Sequence, residues 1–230
     1  MTHRKLLTAA LALGLALGAA TAANADMVLS QVIVDLLPGK APREDIEVFN
    51  DGPERIYVLA EPFEIQNPGQ PTEQRVPVPQ AESASLLVSP LRLVLEPGER
   101  RMIRVAAIGP RPASDRIYRV TIRPVAGAVE SAQSALKVFV GYDTLVLVRP
   151  ERVTGDVEGL RNGRTLVLRN AGNTAQEMFD GEQCDAAGAN CQALPAKRIY
   201  PGASWEVPLP YDTPVTYHAS VGPTVRERRF

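Results

Sequence analysis

LKVFVGYDTLVLVRP, residues Leu136 to Pro150, is the stretch whose reading decides the fold. Its residues favour strand. Leu136, Val138, Val140, Tyr142, Val146 and Val148 share one parity, and Phe139, Leu145 and Leu147 share the other. Successive strand side chains point to opposite faces, so a strand that is apolar on both parities requires cover on both sides. Two arrangements satisfy this. Either the strand lies between two layers of its own chain, or part of one face is left for something outside the chain. Arg149-Pro150 ends it, because proline has no N–H to give to a ladder.

The neighbouring segments read as further strands. Upstream, Asp115 to Pro124 alternates cleanly, with Tyr118, Val120 and Ile122 expected inside and Arg119, Thr121 and Arg123 outside. The small, polar stretch from Pro124 to Ala135 reads as an exposed loop. Before that, Leu86 to Ser89-Pro90 runs into Leu91 to Leu95, then Glu96-Pro97-Gly98-Glu99 forms a type II turn, followed by a strand over Arg101–Ala106. Met27 to Leu37 reads as one extended first strand, Asp45 to Asn50 as a short one, and Asn50-Asp51-Gly52 as a turn. Arg55 to Ile65 carries Ile56, Val58 and Ala60 on one parity, with Pro62 marking a bend or an edge. The polar run from Asn67 to Ser83 is loop with one irregular edge strand near Val76. Past Pro150, the polar residues Arg152–Asn162 suggest a boundary, and Thr165–Asn170 opens a second set of short strands. Arg226 to Phe230 reads as a charged tail. With 20 prolines and no long helical period, the chain is all-β, a sandwich or a pair of them.

Residues 1–25 read as a secretory signal peptide. His3, Arg4 and Lys5 give a positive start, Leu6–Ala20 an apolar run, and Ala23-Asn24-Ala25 a small-x-small site with cleavage before Asp26. Arg4 and Lys5 leave with it, so 25 basic residues become 23 against 26 acidic, a formal charge of −3. No polybasic tract remains, which argues against nucleic acid and anionic membranes as partners. Cys184 and Cys191, in an exported chain, predict a local disulfide closing a hairpin tip.

Catalytic signatures are missing from the sequence. The chain after the leader has one histidine, His218, which removes the usual base for a serine or cysteine nucleophile. It has no Gly-x-Ser-x-Gly elbow, no Gly-rich phosphate loop and no His-Glu-x-x-His. Asp180, Glu182 and Asp185 gather near the cysteines, but their spacing is not that of a calcium loop, and a solvated acidic loop is the expectation. No catalytic residue, cofactor or metal is therefore expected, and no enzyme.

The order of features resembles the periplasmic pilus-assembly (fimbrial) chaperones. It is carried by the leader, Ser89-Pro90 ahead of Leu95-Glu96-Pro97-Gly98, an arginine-rich strand from Arg116-Ile117-Tyr118, and a last apolar strand ending Arg149-Pro150. The likeness is best over Asp45–Pro150. It implies two immunoglobulin-like β-sandwich domains in a boomerang arrangement: an N-terminal domain over 26–150 and a smaller one over 151–230. It also implies that the last strand of the first domain is lent to a pilus subunit lacking its own final strand. Counting back from Arg149-Pro150, the donated side chains are Leu136, Val138 and Val140. Arg149 matches the family's arginine that pairs with carboxylates between the domains. An outer-membrane usher is the implied second partner, and two such edges can pair in a self-capping dimer. The chain departs from the family where a basic pair holds the subunit's terminal carboxylate, since Val34 and Leu145 stand there; Arg119 and Arg123 are the arginines that can face the cleft instead. Two rival readings remain, an exported immunoglobulin-like adhesion or scaffolding module, and an enzyme or metal carrier built on the cysteine loop.

Overall fold

A computed structural model describes residues 27–79, 85–125 and 139–230. The expected leader, Leu136 and Val138 lie outside the described residues. Everything regular among the described residues is strand.

The first ten strands build two facing sheets. They are β1 (Met27–Leu29), β2 (Ile33–Leu36), β3 (Arg43–Asn50), β4 (Ile56–Gln66), β5 (Gln74–Pro77), β6 (Leu86–Ser89), β7 (Arg92–Leu95), β8 (Arg100–Ala107), β9 (Arg116–Val125) and β10 (Tyr142–Val148). One sheet runs β1-β3-β8-β6; the other runs β2-β10-β9-β4-β5, with β7 paired to the half of β4 that β5 leaves free. Inward parities meet between them as Ile46, Val48, Ile103, Val105, Tyr118, Val120, Ile122 and Val146, all fully buried. The alternation expected of β9 is thus observed. So is the turn at Gly98, whose φ of 76° is a conformation glycine adopts without strain and whose neighbour Glu99 donates back to the Glu96 carbonyl.

The expected single strand over Met27–Leu37 is two. β1 pairs antiparallel with β3, and β2 pairs parallel with β10 in the opposite sheet. Ser30 makes the break: its hydroxyl accepts from the Glu47 N–H while its own N–H donates to the Glu47 carbonyl, leaving the chain free to cross.

A second, smaller sandwich follows. Its strands are β11 (Val157–Asn162), β12 (Thr165–Asn170), β13 (Gln176–Gln183), β14 (Gln192–Leu194), β15 (Lys197–Ile199), β16 (Ser204–Pro208), β17 (Thr216–Val221) and β18 (Thr224–Arg229). Sheet β11-β12-β16 faces sheet β14-β13-β17-β18, with β15 beside β13. Leu166, Leu168, Met178, Val207 and Tyr217 fill the space between. The residues read as a charged tail are the strand β18. It pairs along all of β17, Arg226 and Arg228 both hold Asp156, and Phe230 exchanges two main-chain hydrogen bonds with Val215. Its charges belong to an edge strand with a defined partner.

Both sandwiches are closed by the same corner. Buried Asn50 ends β3; its side-chain carbonyl accepts from the Gly52 N–H and its amide donates to the carbonyls of Glu54 and Leu95. Buried Asn170 ends β12 and does the same with Gly172, Thr174 and Ile199. The main-chain carbonyl of each asparagine also accepts from the N–H of the glycine of a Pro-Gly turn, Gly98 or Gly202. The two sandwiches are stacked copies of one closing device.

Candidate functional site

β10 is the strand on which the site turns. Val146 and Val148 enter the first core, while Leu145 and Leu147 pack with Ile65, Ile117 and Ala175, against Tyr200. Ala175 and Tyr200 come from the second sandwich. Both faces of β10 are therefore covered within the chain, the outer one by the neighbouring sandwich. The strand is shorter than the sequence suggests, for it begins at Tyr142, and Phe139, Val140 and Gly141 belong to no strand.

Its two edges differ. On one side β9 pairs with it over the full length, from Tyr142↔Ile122 to Val148↔Arg116. On the other, β2 pairs only from Leu145 onward, with Leu145 N–H donating to the Val32 carbonyl. Odd-numbered residues of β10 turn their main-chain groups to that second side. The edge ahead of Leu145 is open, and Val140, just before the strand, is 56% exposed.

Charged groups from distant strands gather on the outer face at this point. Arg75, on β5, lies over the Phe63 ring at 4.2 Å and reaches Asp143 with a bidentate pair, 2.8 and 3.1 Å. Thr121 donates to the same carboxylate. Burial alone would push the Asp143 carboxyl up, but the hydrogen bonds from Arg75 and Thr121, with the charges of Arg75 and Arg119, hold it below its ordinary value. Arg119 and Asp143 line a groove of about 230 Å³ that also touches Tyr200 of the second sandwich. Arg123 instead pairs with Glu61 at 3.0 Å.

Arg149 sits where the sandwiches join, 4% exposed at the side chain. Its guanidinium spans Asp35 (2.7 and 3.0 Å) and Asp115 (3.1 Å), and donates to the Thr174 hydroxyl and the Ala175 carbonyl. Asp115 also accepts from Thr174 and from the Ala175 N–H. Burial pushes the Asp115 carboxyl up, and the attraction of Arg149 only partly offsets it. Asp35 and Asp115 carry no local sequence signal; they are found only by knowing which strands flank β10.

Val34 is buried in the first core and Leu145 in the cluster between sandwiches, so neither presents a polar group. Cys184 and Cys191 are bonded to each other. Within their loop Asp185 accepts from the N–H groups of Ala189 and Ala187 and from Asn190, which together lower its pKa, so the carboxylate serves as a loop cap. Glu182 lies near the two sulfurs, but disulfide sulfurs are not thiolate ligands.

No family model and no curated protein sequence matches the chain. Solved structures do. A class 5 fimbriae chaperone, CfaA, superposes with a TM-score of 0.66 at 22% identity, covering 88% of this chain and 98% of its own. The Salmonella enterica SafB chaperone, solved with the SafA pilin, gives 0.64 at 14% identity over 90% and 97%. The E. coli chaperone DraB gives 0.61 at 18% over 89% and 95%. The fold class is thus all-β, two immunoglobulin-like sandwiches arranged as in fimbrial chaperones. It is the fold that the resemblance in sequence implied.

Proposed function

We propose that this chain is a periplasmic chaperone that binds pilus or fimbrial subunits by lending them a strand, stabilises them and delivers them for fibre assembly. One observation carries this reading: β10 has an open edge ahead of Leu145, in a fold shared with a chaperone solved on its pilin. A client lacking its final strand pairs along that edge through main-chain hydrogen bonds, and Leu136, Val138 and Val140 fill its pockets. Three such side chains bury roughly 5–9 kcal/mol of apolar transfer energy, from which the ordering of the segment is subtracted.

On this reading residues 1–25 are removed on export, 26–150 form the client-binding domain, and 151–230 form the second domain. Arg149 fixes the junction that presents the strand. An outer-membrane usher receives the loaded complex, and two open edges cap each other when no client is present. The work is binding, with no catalysis and no cofactor.

The test is purification of the tagged mature protein from its own periplasm. The wild type is expected to carry a small secreted β-rich subunit. Val138→Glu and Val140→Glu are expected to lose it while keeping the wild-type thermal unfolding. Partners indifferent to both changes would move the function to an adhesion or scaffolding module.

A further inference from the structure

We propose that the Cys184–Cys191 disulfide is a redox-sensitive clasp, which holds the loop Tyr211–Thr213 across one end of the second sandwich when oxidised and releases it when reduced. The inference stands apart from strand lending, because it concerns the other sandwich and needs no client.

The loop has few ties of its own. It carries the chain from β16 in one sheet to β17 in the other, and Pro210 and Pro214 on its flanks have no N–H to give. Side chains hold it instead. Gln183, 1% exposed at the end of β13, accepts from the Tyr211 N–H at 3.1 Å and donates to the Tyr211 and Thr213 carbonyls at 3.0 and 2.6 Å. Arg161, on β11 in the facing sheet, donates to the same two carbonyls at 2.7 and 2.6 Å. The two sheets are thus joined at this end through shared carbonyls of one loop.

The disulfide governs the grip from one of those sheets. Gln183 and Gln192 are the last register pair between β13 and β14, and each has a bridged cysteine as its chain neighbour. Both glutamines hold Tyr211, since Gln192 donates to its hydroxyl at 3.1 Å. The Cys184 carbonyl itself accepts from the Thr213 hydroxyl at 2.5 Å. β14 has three residues and pairs with β13 alone, so its register leans on the crosslink.

Cys191 is exposed and Cys184 half-buried, which gives a small dithiol access to the bridge. One thiolate of the reagent attacks a bridge sulfur and displaces the other cysteine. The reagent's second thiol then displaces the cysteine held in the mixed disulfide. Two electrons and two protons end on Cys184 and Cys191 as thiols, and the reagent leaves as a cyclic disulfide. β14 then frays from β13, Gln183 and Gln192 part, and Tyr211 loses its hold.

Amide hydrogen exchange of the mature chain, with and without dithiothreitol, tests the clasp. Reduction is expected to speed exchange at Tyr211 by about tenfold or more. Leu209 and Val215 flank the loop and donate to the main-chain carbonyls of Arg164 and Phe230, so their amides are expected to stay slow. Cys184→Ser combined with Cys191→Ser should give the fast Tyr211 amide without reductant, and dithiothreitol should add nothing to it. Gln183→Ala should free Tyr211 with the disulfide intact; a slow Tyr211 amide in that variant would overturn the route through Gln183. Equal Tyr211 exchange in the oxidised and reduced chain would overturn the clasp, as would a bridge that excess dithiothreitol cannot open in the folded chain. Equal acceleration at Leu209, Tyr211 and Val215 would overturn it too, because the sandwich would then open as a whole.

Discussion

Arg119, on β9, donates from Nη1 to the main-chain carbonyl of Asp143 at 3.1 Å, on the edge of β10 that β2 leaves open. An arginine from the inner neighbour thus reaches across the strand and occupies an acceptor that an added strand would use. Its link to the Asp143 carboxylate is looser, 3.8 Å.

Arg119→Ala should therefore free the edge at little cost. The half-exposed pair contributes under about 1 kcal/mol, so thermal unfolding should barely move. The yield of co-purified subunit should rise. A fall in yield would show that Arg119 touches the client instead of guarding the edge.

Arg75 ties the outer strand β5 to the root of β10. Arg75→Ala should cost about 1 kcal/mol or less, and added salt should shrink that difference by screening. The sign with pH follows from the lowered Asp143 pKa. Stability from this pair is present above the ordinary value of 3.8 and is lost as pH falls through the folded value. Wild type and variant should converge in acid, measured by urea unfolding across pH.

Removing Arg149 should be far worse. Arg149→Leu strands Asp35 and Asp115 at the junction, and the loss of one partner in such a cluster costs about 3–5 kcal/mol. Asp115 already binds its proton more tightly folded than unfolded, so its contribution grows as pH falls and is lost as pH rises through its raised pKa. The deficit of Arg149→Leu should be largest at neutral pH and smaller near pH 4. A deficit that does not change with pH would place the cost elsewhere.

Asn50→Ala and Asn170→Ala each leave two buried carbonyls and a glycine N–H without their side-chain partner. Each should cost about 1–3 kcal/mol. Tryptophan fluorescence follows the second sandwich through Trp205, so Asn170→Ala should shift that signal and Asn50→Ala should shift it less.

Much of the fold could be read because its signals are local. Tyr118, Val120 and Ile122 alternate with arginines, Pro97-Gly98 presets its own turn, and Cys184 and Cys191 close a short loop. What stayed hidden depends on strands brought together from afar. β10 begins only at Tyr142, although Phe139 and Val140 are as apolar as the strand itself, so a hydrophobic pattern reads them as one continuous element. β18 is charged because it is an edge, and its pairing to β17 and Asp156 is invisible to a hydrophobic pattern. The arginines of the outer face look like solvated side chains until β5, β9 and β10 are aligned. One missed signal was present in the sequence: Asn-x-Gly followed later by Pro-Gly marks the corner at Asn50 and again at Asn170, although Asn67-Pro68-Gly69 has the same spacing and bonds differently.

Strand lending is tested most directly by placing a photoreactive residue at Val140, irradiating cells and identifying what is joined to it. The account predicts one cross-linked product with a small secreted β-rich subunit, lost when Val138→Glu is added. Cross-links confined to this chain, or to partners unaffected by Val138→Glu, would contradict it.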